Sequence, residues 1–250
     1  MANFGRTRRF SYTRSPRRPV MRFLGKCILF ITVIFLLSLF INTFIFDTFQ
    51  VETVSMRPGC EPGDRLFTSS LWYGARIPFT EERLPGIFSP RRGDLVVLSP
   101  PYKKQPQLVE ILLNPLVGFF SLRNKTFSLE SRREWENDFV IKRIIALPGD
   151  TVRIQGQEAF VKPSGTPDFV SEFSLSLSGY EIIQEELPPD WQKGAPLAEW
   201  GEDIVLGAEE YFVLSDTRNG SLDSRLWGPV HEEQIVTRVL FRYWPLRRQP

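Results

Sequence analysis

From Phe23 to Phe46 the chain reads FLGKCILFITVIFLLSLFINTFIF, an apolar run in which Lys26 is the one charged residue. As a helix at ~1.5 Å per residue the run would be about 36 Å long, enough to cross a hydrocarbon layer of about 30 Å. Beyond it the period changes. The runs RRGDLVVLSP, FVIKRIIALPGDTVRI, EAFVKP, EEYFVLSD and QIVTRVLFRYW are short, rich in β-branched and aromatic residues, and punctuated by Pro, Gly and Asp. That pattern predicts strands. TVRIQGQEAFV reads as a hairpin turning at Gly156. The predicted organisation is a basic tail over 1–22, a transmembrane anchor over 23–46 and a β-rich domain over 47–250. The fold class is mainly β, an antiparallel sheet domain behind an N-terminal transmembrane helix. Two segments, about 101–138 and 163–209, read as partly helical or irregular insertions between strands.

One stretch within the first insertion, LVEILLNPLVGFFSL from Leu108 to Leu122, is apolar but short, and Glu110 and Asn114-Pro115 interrupt it. A second crossing there would put the following strands on the other side of the membrane from Ser55. The stretch is expected to pack on the β core or to lie on the membrane surface.

Charge adds an orientation. The formal net charge is +2, yet eight basic residues and no acidic one fall between Met1 and Lys26, which leaves the remainder mildly acidic. Such a distribution argues against a nucleic-acid face on the folded part and places the tail on the cytoplasmic side. The expected location is a bacterial cytoplasmic membrane, spanned once, with the β domain outside; an organelle inner membrane is the alternative. No short h-region with a small-x-small site precedes the domain, so the anchor is expected to be retained. Two cysteines, Cys27 inside the apolar run and Cys60 beyond it, make no disulfide framework. With those thiols and a single histidine, neither a metal nor another cofactor is expected.

Ser55 sits in VETVSMRPGCEPGD, nine residues past Phe46. A fully extended link of that length reaches about 30 Å. A serine hydroxyl attacks poorly unless a neighbour takes its proton. The single histidine, His231 in WGPVHEEQIV, reads as a solvated loop residue. Six of the seven lysines lie in the anchor flank or in polar, turn-like sequence. The seventh, Lys142 in FVIKRIIAL, alternates onto one face with Val140, Ile144 and Ala146. There desolvation disfavours the ammonium form, which is how a lysine becomes a general base near neutral pH. A lysine snorkelling from a strand edge fits the same stretch.

Four blocks in order after an anchor, SMRP with a following GD, RRGDLVVL, IKRIIALPGDTV and SDTRNGSLDSRLWGPV, resemble the type I signal peptidases, membrane-anchored Ser/Lys endopeptidases that remove leader peptides. The resemblance spans Val51 to about Val230. It implies that Ser55 is the nucleophile and Lys142 the base. Thr53 would join the Ser55 backbone N–H in the oxyanion hole, and Ser221 would hydrogen-bond the base. Asp223 and Arg225 would brace the site as a pair, with Asp216 and Arg218 in the same block. Implied partners are precursor proteins bearing signal peptides, bound as an extended strand, and the lipid bilayer. Met56, Val140 and Ile141 are candidates for shallow pockets that accept small residues.

The chain also departs from the pattern: Ser215-Asp216-Thr217-Arg218 stands where Gly-Asp-Asn-Arg is usual, and Pro58-Gly59 follows where Pro-Thr or Pro-Ser is usual. Two rival readings are a catalytically silent, membrane-anchored peptide-binding module and an autoprotease of the related Ser/Lys class.

Overall fold

A computed structural model describes residues 17–41, 45–74, 83–102, 108–120, 139–177, 179–184, 202–219 and 221–246. The chain divides into two units, Met1–Leu39 and Phe40–Pro250. In the first, helix α1 (Arg17–Phe40) has 24 residues. Val20–Phe40 within it is long and apolar enough to cross a membrane, with a mean hydropathy of 2.5. The helix begins and ends six residues before the predicted 23–46 span. Pro19 is tolerated in a first turn, where its missing N–H has no partner to lose. At the other end Asp47–Gln50 is required as a strand, β1.

The second unit is built on two antiparallel sheets. The strands of the larger are β1, β2 (Arg65–Ser69), β3 (Leu95–Leu98), β4 (Val140–Ala146), β9 (Glu210–Leu214), β10 (Val230–His231) and β11 (Ile235–Trp244), in the spatial order β1-β2-β11-β3-β4-β9-β10. The smaller holds β5 (Thr151–Gln155), β6 (Glu158–Lys162), β7 (Val170–Ser171) and β8 (Ile204–Val205), in the order β7-β6-β5-β8. β5 and β6 form the expected hairpin, and Gly156 takes φ +61°, a conformation an L side chain rarely adopts. Short helices α3 (Glu172–Leu175) and α4 (Ser224–Trp227) complete the unit with α2 (Leu108–Phe120).

α2 forms within the stretch weighed above and runs on through Asn114-Pro115, with Val109, Leu116 and Phe120 exposed. At 13 residues it spans about 20 Å, short of a bilayer crossing. The second insertion is more structured than its composition implies. It supplies β7 and β8 to the smaller sheet and the short helix α3, while 185–201 lies outside the described residues.

β4 joins the core together. Ile141 packs with Val51, Met56, Cys60, Leu66 and Val97; Ile144 packs with Val96, Leu98 and Val213; Ile145 and Ala146 pack with Val152, Ile154 and Phe212. A strand between two neighbours and covered on both faces reads as a nearly continuous apolar run, as IKRIIA does apart from its two charges. Those charges, Lys142 and Arg143, are 3% and 5% exposed. β4 is therefore no edge, and the snorkelling reading of Lys142 fails.

Candidate active site

Ser55 lies in a 3-10 turn, Val54–Met56, which leaves β1 and begins the Pro/Gly-rich loop back to β2. Two sets of bonds hold this turn. Within the loop, Cys60 N donates to Met56 O at 2.8 Å and Gly63 N to Val51 O at 2.8 Å. From outside, Thr217 N donates to Ser55 O at 2.9 Å, and Thr217 Oγ1 donates to Val54 O at 2.9 Å. Met56 is buried in the core and anchors the turn. The Ser55 hydroxyl stands 3.0 Å from Thr53 Oγ1.

Lys142 reaches the loop that carries Thr217. Its Nζ donates to Ser215 Oγ at 2.6 Å. Ser215 and Thr217 are two residues apart, so one short loop grips the lysine amine at one position and the Ser55 backbone at the other. Burial is the main influence on the amine and lowers its pKa from 10.5 to about 8. Asp223 opposes that shift, Arg225 adds to it and Asp216 opposes it more weakly. Of the two readings that FVIKRIIAL left open, the buried amine is the one that the structure shows.

The supporting charges find their partners partly inside and partly outside their own block. Asp223 and Arg225 do pair, with Arg225 Nε on Oδ1 at 2.8 Å and Nη2 on Oδ2 at 2.7 Å. Burial alone would raise the Asp223 carboxyl; Arg225 and then Lys142 outweigh it and hold the group below its usual value. Asp216, in contrast, pairs with Arg143, whose Nε donates to Oδ1 at 2.8 Å. Arg218 pairs with Glu172 at 2.6 Å, both side chains fully shielded from solvent. Glu172 also accepts from Ala159 N at 2.9 Å and from the Tyr180 hydroxyl at 2.6 Å, and the Tyr180 ring lies 4.1 Å from the Arg143 guanidinium carbon. Arg143 was legible by the argument that singled out Lys142, a charge in an apolar strand. Glu172 gave no such signal, since it falls in an insertion.

Ser221 is buried at 7% exposed, but the hydrogen bond on Lys142 Nζ goes to Ser215. Met56, Val140 and Ile141 share the wall of one cleft with Thr53, Phe49 and Phe139. His231 is exposed at the start of a 3-10 turn, its N–H donating to Gln234 Oε1 at 2.9 Å.

Comparison with known proteins gives a consistent picture. The family model for signal peptidase, peptidase S26, matches residues 24–244. A signal peptidase I of Leptolyngbya laminosa is 29% identical over 85% of this chain and 75% of its own length. That of Haemophilus influenzae is 25% identical over 94% of this chain and 72% of its own length. A chloroplastic thylakoidal processing peptidase 1 of Arabidopsis thaliana is 30% identical over 78% of this chain and 41% of its own length.

Proposed function

The chain belongs to the signal peptidase family, peptidase S26, and we propose that it removes signal peptides from precursor proteins with Ser55 as nucleophile and Lys142 as general base. The activity is that of a hydrolase, an endopeptidase acting on signal peptides. The observation that best supports the assignment of roles is a buried lysine with a lowered pKa whose hydrogen-bond partner lies two residues from the residue that grips the Ser55 turn.

In the proposed mechanism neutral Lys142 takes the Ser55 proton as Oγ attacks the scissile carbonyl. The oxyanion is held by the Ser55 N–H and the Thr53 hydroxyl. The Lys142 ammonium then gives its proton to the leaving amine, and the peptide bond breaks to leave an acyl ester on Ser55. A water deprotonated by the same lysine hydrolyses that ester and returns Ser55 to its starting state. Asp223 with Arg225, and Asp216 and Arg218 with their own partners, keep the loop of Ser215 and Thr217 rigid; Ser221 lies in that same loop region.

The substrate is read as an extended strand beside β1, an edge strand of the larger sheet. Met56, Val140 and Ile141 form the shallow walls that accept small side chains before the cut. Helix α1 anchors the enzyme in a bacterial cytoplasmic membrane, with the basic tail inside and the β domain outside. An organelle inner membrane satisfies the same charge pattern.

The test is precursor cleavage by the full chain in detergent. Ser55→Ala and Lys142→Ala are each expected to abolish product, and His231→Ala to remain active. Full activity in Lys142→Ala would refute the dyad.

A further inference from the structure

We infer that Ser215 is the residue that orients the Lys142 amine, the role that the family resemblance assigns to Ser221. The inference rests on Lys142 acting as the base and adds the group that holds it. Strand pairing carries it. β4 and β9 are antiparallel with Arg143 opposite Leu214, so the next residues along each strand, Lys142 and Ser215, face one another at the end of the ladder. The Nζ to Oγ bond of 2.6 Å therefore joins β4 to the residue that directly follows β9.

Ser215 is itself held in place. It is fully buried, and its backbone N–H donates to Asp223 Oδ2 at 3.1 Å. Asp223 is locked in turn by the two Arg225 bonds described above and by a further bond from Arg225 N to Oδ1 at 3.2 Å. Ser221 belongs to the connection between Asp216 and α4, outside the paired residues of β4 and β9. Among the described residues, the hydrogen-bond partner of Nζ is Ser215 Oγ.

A neutral amine has two N–H bonds and one lone pair. When Ser215 Oγ accepts one N–H, rotation about the Cε–Nζ bond is fixed and the lone pair is set in one direction. After proton transfer the same oxygen accepts a charge-assisted bond from the ammonium. Ser215 moves no proton, which makes it a positioning residue. A glycine at 215 would leave this oxygen out, and the base would need its bond from elsewhere in the loop.

The experiment compares Ser215→Ala, Ser215→Cys and Ser221→Ala in the full chain in detergent, with tryptophan emission and thermal unfolding as checks on the fold. Loss of a hydrogen bond to the charged form lowers a base's pKa. Ser215→Ala is expected to lower kcat by about tenfold or more with KM little changed, and to move the acid limb of kcat downward by about one pH unit. Ser215→Cys, similar in size and a weak acceptor, is expected to fall between.

A second readout needs no activity. In a Ser55→Ala background with carbon-13-labelled lysine, the Lys142 Cε signal, assigned by its absence from Lys142→Arg, is expected to titrate lower when Ser215→Ala is added. A midpoint unmoved by Ser215→Ala, or moved more by Ser221→Ala, would overturn the inference while Lys142 stays the base. Cleavage surviving in Lys142→Ala would overturn both together.

Discussion

Replacing Lys142 by Met should make the protein less active and, at neutral pH, no less stable. Met has nearly the same length as Lys and carries no charge into a site where the amine is 3% exposed. In the folded chain the amine has a pKa of about 8 against 10.5 for the free side chain. Below pH 8 it is protonated in both states and the burial penalty is present in full. Between about pH 8 and 10.5 the unfolded chain holds a proton that the folded one has released, so the lysine protein gains stability as pH rises through this window. Above it the amine is neutral in both states and the penalty is gone. A difference of ~2.5 units at ~1.36 kcal/mol each is about 3 kcal/mol. Against this, Met leaves the Ser215 hydroxyl buried without its bond, at a cost of about 1–3 kcal/mol. The balance at pH 7 is a gain of about 0–2 kcal/mol. By pH 10.5 it becomes a loss of about 1–3 kcal/mol, since only the second contribution remains.

Urea unfolding of the full chain in mild detergent measures this. All six tryptophans lie between Trp72 and Trp244, so their emission reports the β unit. The midpoint difference between Met and Lys should fall by about 1 M or more from pH 7 to pH 10.5. Other titrating groups are common to both proteins and cancel. A difference flat with pH would mean that the amine ionises as it does in water, and the case for a desolvated base would be lost.

Glu172→Ala strands the Arg218 guanidinium in a site fully shielded from solvent and removes the acceptor of Ala159 N and the Tyr180 hydroxyl. The expected loss is about 3–5 kcal/mol in urea unfolding, with Glu172→Gln recovering part of it, and a loss below about 1 kcal/mol would show that the pair contributes little. Cys60 is 3% exposed, and its thiol is raised from 9.0 to about 11, chiefly by burial and then by Asp216 and Asp64. In a Cys27→Ser background, iodoacetamide at pH 8 should label folded protein at least about a hundredfold more slowly than urea-unfolded protein; equal rates would contradict the burial.

What could be read in the sequence follows from how local each signal is. The anchor and the main strands show in the hydrophobic pattern because each buries a face whose period is written in consecutive residues. Lys142 shows for the same reason, as an exception within such a run. Partnerships across long separations do not show. Asp216 reaches Arg143 across 73 positions and Arg218 reaches Glu172 across 46, and no short-range rule distinguishes those pairings from Asp216 with Arg218. The polar insertion over 163–209 concealed Glu172 for a further reason. Its composition resembles a solvated loop, while α3 turns one carboxylate into the core. Ser215 was visible as a departure from Gly-Asp-Asn-Arg, but its bond to the base depends on strand register.

These pairings share an arrangement that bears on catalysis. The consecutive residues Ser215 to Arg218 are each fastened: Ser215 to Lys142 and Asp223, Asp216 to Arg143, Thr217 to the Ser55 turn, and Arg218 to Glu172. A buried lysine able to lose its proton near pH 8 costs stability, and a loose one would turn its amine toward solvent and recover a normal pKa. Holding the amine desolvated requires that its surroundings not rearrange to admit water. Ion pairs buried on either side of Ser215 achieve this because opening any of them leaves a charge without its counterpart. The fastened loop and the lowered lysine pKa therefore go together, and, with Lys142 acting as proposed, a change that frees the loop should raise that pKa and lower activity together.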